Sequence, residues 1–295
     1  MKFILTADWH IRSTIPSCRK DDFFKVQFEK VKFVLSIAKE YDASIIVAGD
    51  IGEKPHWENW LLTKYIELFR LHHLSIYAIP GQHDLVNHRL DKINEGGIGV
   101  LRSSSMINLL KERKVKYDSV HLYPYPFGKK IKRCKKIPSV KTIAITHQLI
   151  CQKPLGWQKD KLMAKSLLRD LECYDLIVSG DNHESFVQEY EGRYLVNPGS
   201  LVRTKSDQIN FQPKIYLWDS EDNSVKTINV PIEKDVFDLT KTEDEISINN
   251  EMQKFVEMLK KPTMSSRCFT SYLREYLETN KIEKKVQEKI WEIVS

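Results

Sequence analysis

The sequence predicts a layered α/β domain over residues 1–235 followed by a small helical segment over 236–295, on three observations. Short runs rich in β-branched residues recur through residue 230. Stretches with apolar residues at helical spacing separate several of them, and after Pro231 the chain turns charged and strand-poor. Strands alternating with amphipathic helices pack as a mainly buried sheet covered by helices.

Taken in order, residues 3–7 read as the first buried strand, and Val26, Val31, Val34, Leu35 and Ala38 mark a helix after it. Residues 44–48 give a second strand, Trp57, Leu61, Tyr65 and Leu68 a second helix, and 74–79 a third strand. From Gly96 to Lys141 the pattern is irregular and reads as a surface loop, with six cations among the eight residues 129–136. Strands resume at 141–146, 176–179, 194–196, 214–218 and 225–230, with a helix carrying Leu162, Leu167, Leu168 and Leu171 between the first two. So many strands leave room for a second sheet. In the final segment Phe255 and Leu259, then Phe269, Tyr272, Leu273, Tyr276 and Leu277, then Ile282, Val286 and Ile290 follow helical steps. Two or three such helices bury little among themselves, so their stripes would dock on the α/β domain, on a second copy, or on another protein.

Composition narrows the class. With 41% hydrophobic and 29% charged residues the chain is neither disordered nor collagen-like nor of low complexity. No apolar run reaches the 18 or so residues of a membrane helix, and residues 1–8 lack the apolar stretch of a signal peptide, so a soluble, cytoplasmic protein without membrane contact is expected. Five scattered cysteines (Cys18, Cys134, Cys151, Cys173, Cys268), with no C-x-x-C pair, argue against a disulfide framework or a structural zinc site. The net charge of +6 is uneven: residues 231–295 hold 11 basic and 13 acidic side chains, so the basic excess lies before them. Such an excess suits a polyanionic ligand and equally a solvated face.

The chemistry sits where strands end. Asp8-Trp9-His10 follows the first strand, Gly49-Asp50 the second and Gly81-Gln82-His83-Asp84 the third; His147 follows 141–146, and Gly180-Asp181-Asn182-His183 follows 176–179. Carboxyl ends of strands form the ligand-binding edge of open α/β sheets, so these groups should converge. Oxygen and imidazole ligands without thiolate suit Mn²⁺, Fe²⁺, Zn²⁺ or Mg²⁺. Seven candidate ligands exceed one ion but suit a pair sharing a bridging carboxylate, the recurrent device for phosphoester cleavage.

Over about residues 1–230 this order resembles the D-x-H, G-D, G-N-H-D, H, G-H-x-H pattern of the calcineurin-like metallophosphoesterases. The opening Ala7-Asp8-Trp9-His10-Ile11, the run Asn197-Pro198-Gly199-Ser200 and the strand Ile215-Tyr216-Leu217-Trp218-Asp219 are similar to the SbcD-type nuclease subunit of DNA repair exonucleases. The resemblance implies a β-sandwich flanked by helices. It implies one metal on Asp8, His10 and His183, another on Gln82, His147 and Asp181, and Asp50 bridging the two. Water with its pKa lowered by the cations would attack phosphorus, and His83, oriented by Asp84, would protonate the leaving oxygen.

Two residues depart from the family pattern, both at the second metal. Gln82 stands in place of Asn, and Asp181 in place of His, which biases the site toward hard ions such as Mn²⁺ or Mg²⁺. The implied activity is exonuclease or endonuclease cleavage of DNA in repair, recombination or replication. Two divalent ions, Mn²⁺ first among them, would serve it. The implied partners are DNA, a second copy of the chain and an SbcC-like SMC-type ATPase docked on the C-terminal helices. Family members often insert a separate DNA-capping domain after the core, where this sequence has about 60 residues, so a simpler engagement of DNA ends, or one supplied by the partner, is expected.

Two rivals stay open: a stand-alone phosphatase or cyclic-nucleotide phosphodiesterase of the same fold, and a catalytically weakened scaffold subunit, which Gln82 and Asp181 would suit. His56, His72, His73, His88 and His121 match no motif position. The basic run 129–136 reads as a DNA contact or a solvated loop, and Trp57 and Trp60 as base-stacking residues or helix core.

Overall fold

Alternation along the first strand sets the layers. In the computed structural model, which describes residues 1–117, 119–153, 162–238, 273, 277, 282 and 284–294, Ile4 of β1 (Lys2–Thr6) faces one core while Phe3 and Leu5 face another. In β2 (Ser44–Val47), Ile45 and Val47 are split from Ile46 in the same way, and in β3 (Ile76–Ala78), Ile76 and Ala78 are split from Tyr77. Successive side chains of a strand point to opposite faces, so a sheet apolar on both must be covered on both. Helices α1 (Phe23–Glu40), α2 (Asn59–His72) and α3 (Gly97–Ser103) cover one face with Val31, Val34, Leu35, Leu61, Tyr65 and Leu101. A second sheet covers the other.

The first sheet adds β4 (Asn108–Leu109), β13 (Lys214–Asp219) and β14 (Ser224–Asn229), in the order β14-β13-β1-β2-β3-β4. The second runs β11-β12-β10-β7-β6-β5. Its strands are β5 (Val115–Lys116), β6 (Val120–Tyr125), β7 (Lys141–His147), β10 (Leu176–Gly180), β11 (Phe186–Tyr190) and β12 (Arg193–Asn197). Strands β8 (Ile150–Cys151) and β9 (Leu162–Met163) form a small separate pair. Leu122, Ile143, Ile145, Leu176 and Val178 meet Phe3, Leu5 and Ile46 between the sheets. Ala144, Ile177 and Leu195 point outward beneath α4 (Ala164–Asp170). The α/β reading therefore resolves into a β-sandwich with helices outside both sheets. Strands β1, β2 and β3 run parallel, as do β6, β7 and β10, so the site motifs all lie at carboxyl ends.

The segment from Gly96 to Lys141, expected as a surface loop, is corrected here. It contains α3, β4, β5 and β6, and β6 pairs along its whole length with β7. The basic run within it has no regular structure but is not free: Ile131 and Cys134 pack on the outer core, Lys129 pairs with Glu112 at 3.0 Å, and Lys136 pairs with Asp175.

Two compact units divide the chain, Met1–Asp238 and Leu239–Ser295. In the second, a helix spans Lys284–Val294, and Leu273 and Leu277 pack with Ile282, Ile290 and Trp291. Phe255, Leu259, Phe269, Tyr272 and Tyr276 of the expected stripes lie outside the described residues.

On the buried face of α1, Lys30 donates to the Pro231 carbonyl, and burial pushes its ammonium down to about 8. An unfolded lysine titrates near about 10.4. Between those values the unfolded chain binds more protons, so stability should rise with pH across the window, by up to about 3 kcal/mol. Denaturant midpoints at about pH 7 and about pH 10 should converge on this: the wild type gains stability relative to Lys30→Met as pH rises. Equal pH slopes in the two proteins would refute it.

Candidate metal centre

Past their last ladder residues, β1 and β2 continue side by side in backbone that ordinary residues avoid. Asp8, His10 and Asp50 take left-handed φ of 48°, 47° and 51°. The Asp8 N–H donates to the Gly49 carbonyl (3.1 Å), that of His10 to Asp50 (3.0 Å) and that of Ile11 to Ile51 (2.8 Å), a set of bonds that holds the strained residues in place. Gly49, at φ 97°, lets β7 come close: a Cβ there would lie 2.2 Å from His147 Nδ1.

Strand ends thereby bring distant side chains into one pocket. Ligand atoms of Asp8, His10 and His183 lie within 4.8 Å of one another, as do those of His10, Asp50 and His83, and those of Asp8, Asp50 and His147. His10 Nε2 and His183 Nε2 are 3.2 Å apart, and Asp50 Oδ2 is 3.3 Å from His147 Nε2. In His147 the other ring nitrogen is already used. His147 Nδ1 sits 2.7 Å from the Ala48 carbonyl, which only accepts, so Nδ1 carries the proton and Nε2 is left for the pocket. His10 Nδ1 lies 3.0 Å from Glu53 Oε2. Metal-ligating imidazoles are tied down in this manner. Asp8 Oδ2, Asp50 Oδ2, Gln82 Oε1 and His147 Nε2 are buried without a hydrogen-bond partner. Left so, each costs about 1–3 kcal/mol; a divalent cation among the grouped Asp8, Asp50 and His147 atoms would satisfy those three.

Charge in the pocket is strained in the same sense. Burial pushes the Asp8 carboxyl up to about 7, with Asp50 adding to it. Burial and the neighbouring His10 push His183 down to about 4, leaving it a neutral ligand. Against its own burial, His147 is raised to about 10 by the Asp50 and Asp8 carboxylates. The protein alone balances its buried carboxylates with an imidazolium, a task that bound cations take over.

Every sequence-predicted site residue lies at this edge, but two are held in unforeseen ways. Asp84 does not touch the His83 ring. Its buried carboxylate accepts the backbone N–H groups of Gly52 (2.9 Å), Gly81 (2.9 Å) and Ile51 (3.3 Å), so it ties the β2 and β3 loops together. The ring of His83 is held through Nδ1 by the Glu53 carbonyl at 2.9 Å, which corrects the expectation that Asp84 orients it. Asp181 stands apart from the three ligand groupings, with its Oδ1 accepting from Gln82 Nε2 at 2.7 Å. Sequence reasoning missed Glu53, which braces His10 and His83 and meets Arg12 at 3.3 Å; its only signal was its place three residues after Asp50. His56, His72, His73, His88 and His121 enter no such grouping among the described residues. Trp57 is core, packed edge-on to Tyr65, whereas Trp60 is half-exposed against Phe24.

Residues 1–215 match the model of the calcineurin-like phosphoesterase superfamily domain. The chain belongs to that superfamily. No curated protein matches it. Among solved structures, a novel archaeal phosphodiesterase is similar at 14% identity and a TM-score of 0.44, the match covering 78% of this chain and 99% of that one. The protein TT1561 of Thermus thermophilus is similar at 13% identity and a TM-score of 0.48, covering 78% and 99%.

Superfamily members are metal-dependent phosphoesterases, and this donor set fits their divalent ions: Asp8, His10 and His183 would hold one, His147 and Gln82 the other, with Asp50 between. Bound there, such a pair acidifies water and neutralises charge on phosphoryl oxygens. His83 lies against Asp50 and His10 with its Nδ1 occupied by the Glu53 carbonyl, so Nε2 is the nitrogen left to face the pocket, where it would serve as the proton donor that the resemblance implies.

Proposed function

We propose that the chain is a two-metal phosphodiesterase that hydrolyses DNA, an SbcD-like exonuclease or endonuclease using two Mn²⁺ ions. In this reading it works in the cytoplasm as a homodimer with an SbcC-like SMC-type ATPase. The observation that carries the subfamily reading is the wiring of Asn197-Pro198-Gly199-Ser200 into the metal edge. Asn197 accepts from Ser179 Oγ at 2.8 Å and donates to the carbonyls of Asn182 and Glu184, both at 2.6 Å, bracketing His183. Ser200 N–H donates to the His183 carbonyl and Leu201 N–H to that of Asp8, both at 3.1 Å. This run, one of three on which the SbcD likeness rests, thus braces His183, and Leu201 next to it braces Asp8, both of them ligands in this reading. The basic excess before residue 231 supports a polyanionic substrate, though not through all of 129–136, where Lys129 and Lys136 are paired.

The test is digestion of end-labelled duplex, hairpin and plasmid DNA beside p-nitrophenyl esters and cyclic nucleotides, with Mn²⁺ added. DNA should be cut in a manner that Mn²⁺ restores after chelation. Turnover of the small esters with intact DNA would replace this reading by that of a stand-alone phosphatase or cyclic-nucleotide phosphodiesterase.

A further inference from the structure

The two residues at which this chain departs from the family pattern touch each other. Gln82 and Asp181 are joined by a hydrogen bond of 2.7 Å from Nε2 to Oδ1, and Gln82 Oε1 is left buried with no protein partner. Asp181 belongs to none of the ligand groupings among the described residues, whereas its own N–H donates to Asp8 Oδ1 at 3.2 Å.

We propose that Asp181 is a positioning residue for the second ion, one that turns the carboxamide of Gln82 oxygen-first toward the metal seat instead of ligating the metal itself. The inference rests on the two-ion reading above. A carboxamide offers a carbonyl at one corner and an NH₂ at the other, and only the carbonyl can ligate a cation. An ionised carboxylate only accepts, so the NH₂ must face Asp181 and the oxygen must face away from it. Glutamine also has one more rotatable bond than asparagine and more rotamer freedom to lose on binding. A charge-assisted hydrogen bond at its tip removes that freedom in advance. On this view the two departures are one change: the longer amide needs a fixed acceptor, and aspartate at 181 supplies it.

Calorimetric Mn²⁺ titration of the full chain, with the exchange-coupled Mn²⁺ pair followed by electron paramagnetic resonance, tests this. The wild type should take two ions. Asp181→Ala should weaken the looser ion roughly 10–100-fold, the usual effect of losing a group that orients a ligand. Asp181→Asn, whose carbonyl accepts the same N–H, should stay within a few-fold of wild type. In a Gln82→Ala background Asp181→Ala should have no further effect, because the group it acts through is gone. A ligand at 181 behaves differently, because the Gln82 and Asp181 losses would then add; that result, or an Asp181→Asn loss as large as that of Asp181→Ala, overturns the inference alone. A wild type that binds fewer than two ions at saturation overturns it together with the two-ion reading.

Discussion

Replacing Asp50 by asparagine should abolish Mn²⁺-dependent hydrolysis and strip metal from the protein while the fold survives. Asp50 is fully buried, with Oδ1 accepting the His83 backbone N–H at 2.9 Å and Oδ2 3.3 Å from His147 Nε2. Asparagine keeps the shape and its carbonyl can still accept from His83. With the carboxylate gone, His147 loses the main charge that raises it, so its Nε2 gives up the second proton and the asparagine NH₂ donates into the lone pair that would bind a cation. The negative charge is lost and a neighbouring imidazole nitrogen is plugged by the same change, while the His83 N–H keeps its acceptor. The rate should fall by at least the roughly 10³-fold seen when a single oxyanion donor is removed. His83→Ala is the contrast. It removes the ring and keeps the backbone N–H to Asp50, so turnover should drop about 10²–10⁴-fold with both ions retained. Metal analysis of purified protein, circular dichroism and turnover, measured together, separate the two. Asp50→Asn protein that keeps its metal and cleaves at the wild-type rate would mean the pocket is not the catalytic site.

The motifs at the ends of β1, β2, β3, β7 and β10 were legible because each follows a run of buried β-branched residues, and parallel strands deliver their carboxyl ends to one edge. What escaped was set by partners far away in sequence. Strand β6 carries Pro124 and an unremarkable pattern, yet it runs past the end of the two-residue β5, at a partly open edge where a missing N–H is tolerated. Strand β11 lies at the rim of its sheet with one side toward solvent, so Phe186–Tyr190 shows no apolar run. Gln82 and Asp181 each read as a weakened metal ligand when taken singly. Their hydrogen bond spans 99 positions, which no local pattern encodes. Asp84 was misread for a related reason: in sequence it adjoins His83, whereas its carboxylate serves backbone groups of another strand's loop.

That misreading leads to the second large effect. Asp84→Ala should lower stability by about 3–9 kcal/mol, since it leaves the N–H groups of Ile51, Gly52 and Gly81 buried without an acceptor at about 1–3 kcal/mol each. Against a typical total of about 5–15 kcal/mol, that brings the domain near unfolding at ambient temperature. Asparagine should rescue only partly. Its one carbonyl oxygen can take the place of Oδ2 and still accept from Gly81 and Ile51, but the NH₂ then replaces Oδ1, the oxygen that accepts from Gly52, and sets donor against donor. The order of urea midpoints should therefore be wild type, Asp84→Asn, Asp84→Ala. Metal affinity of the folded Asp84→Asn protein should fall as well, because Ile51 follows Asp50 and Gly81 precedes Gln82, so loosening the two loops separates ligands that sit on them. If Asp84→Ala unfolds at the wild-type midpoint while losing activity, the carboxylate acts on the reaction directly, and its three backbone bonds are incidental to stability.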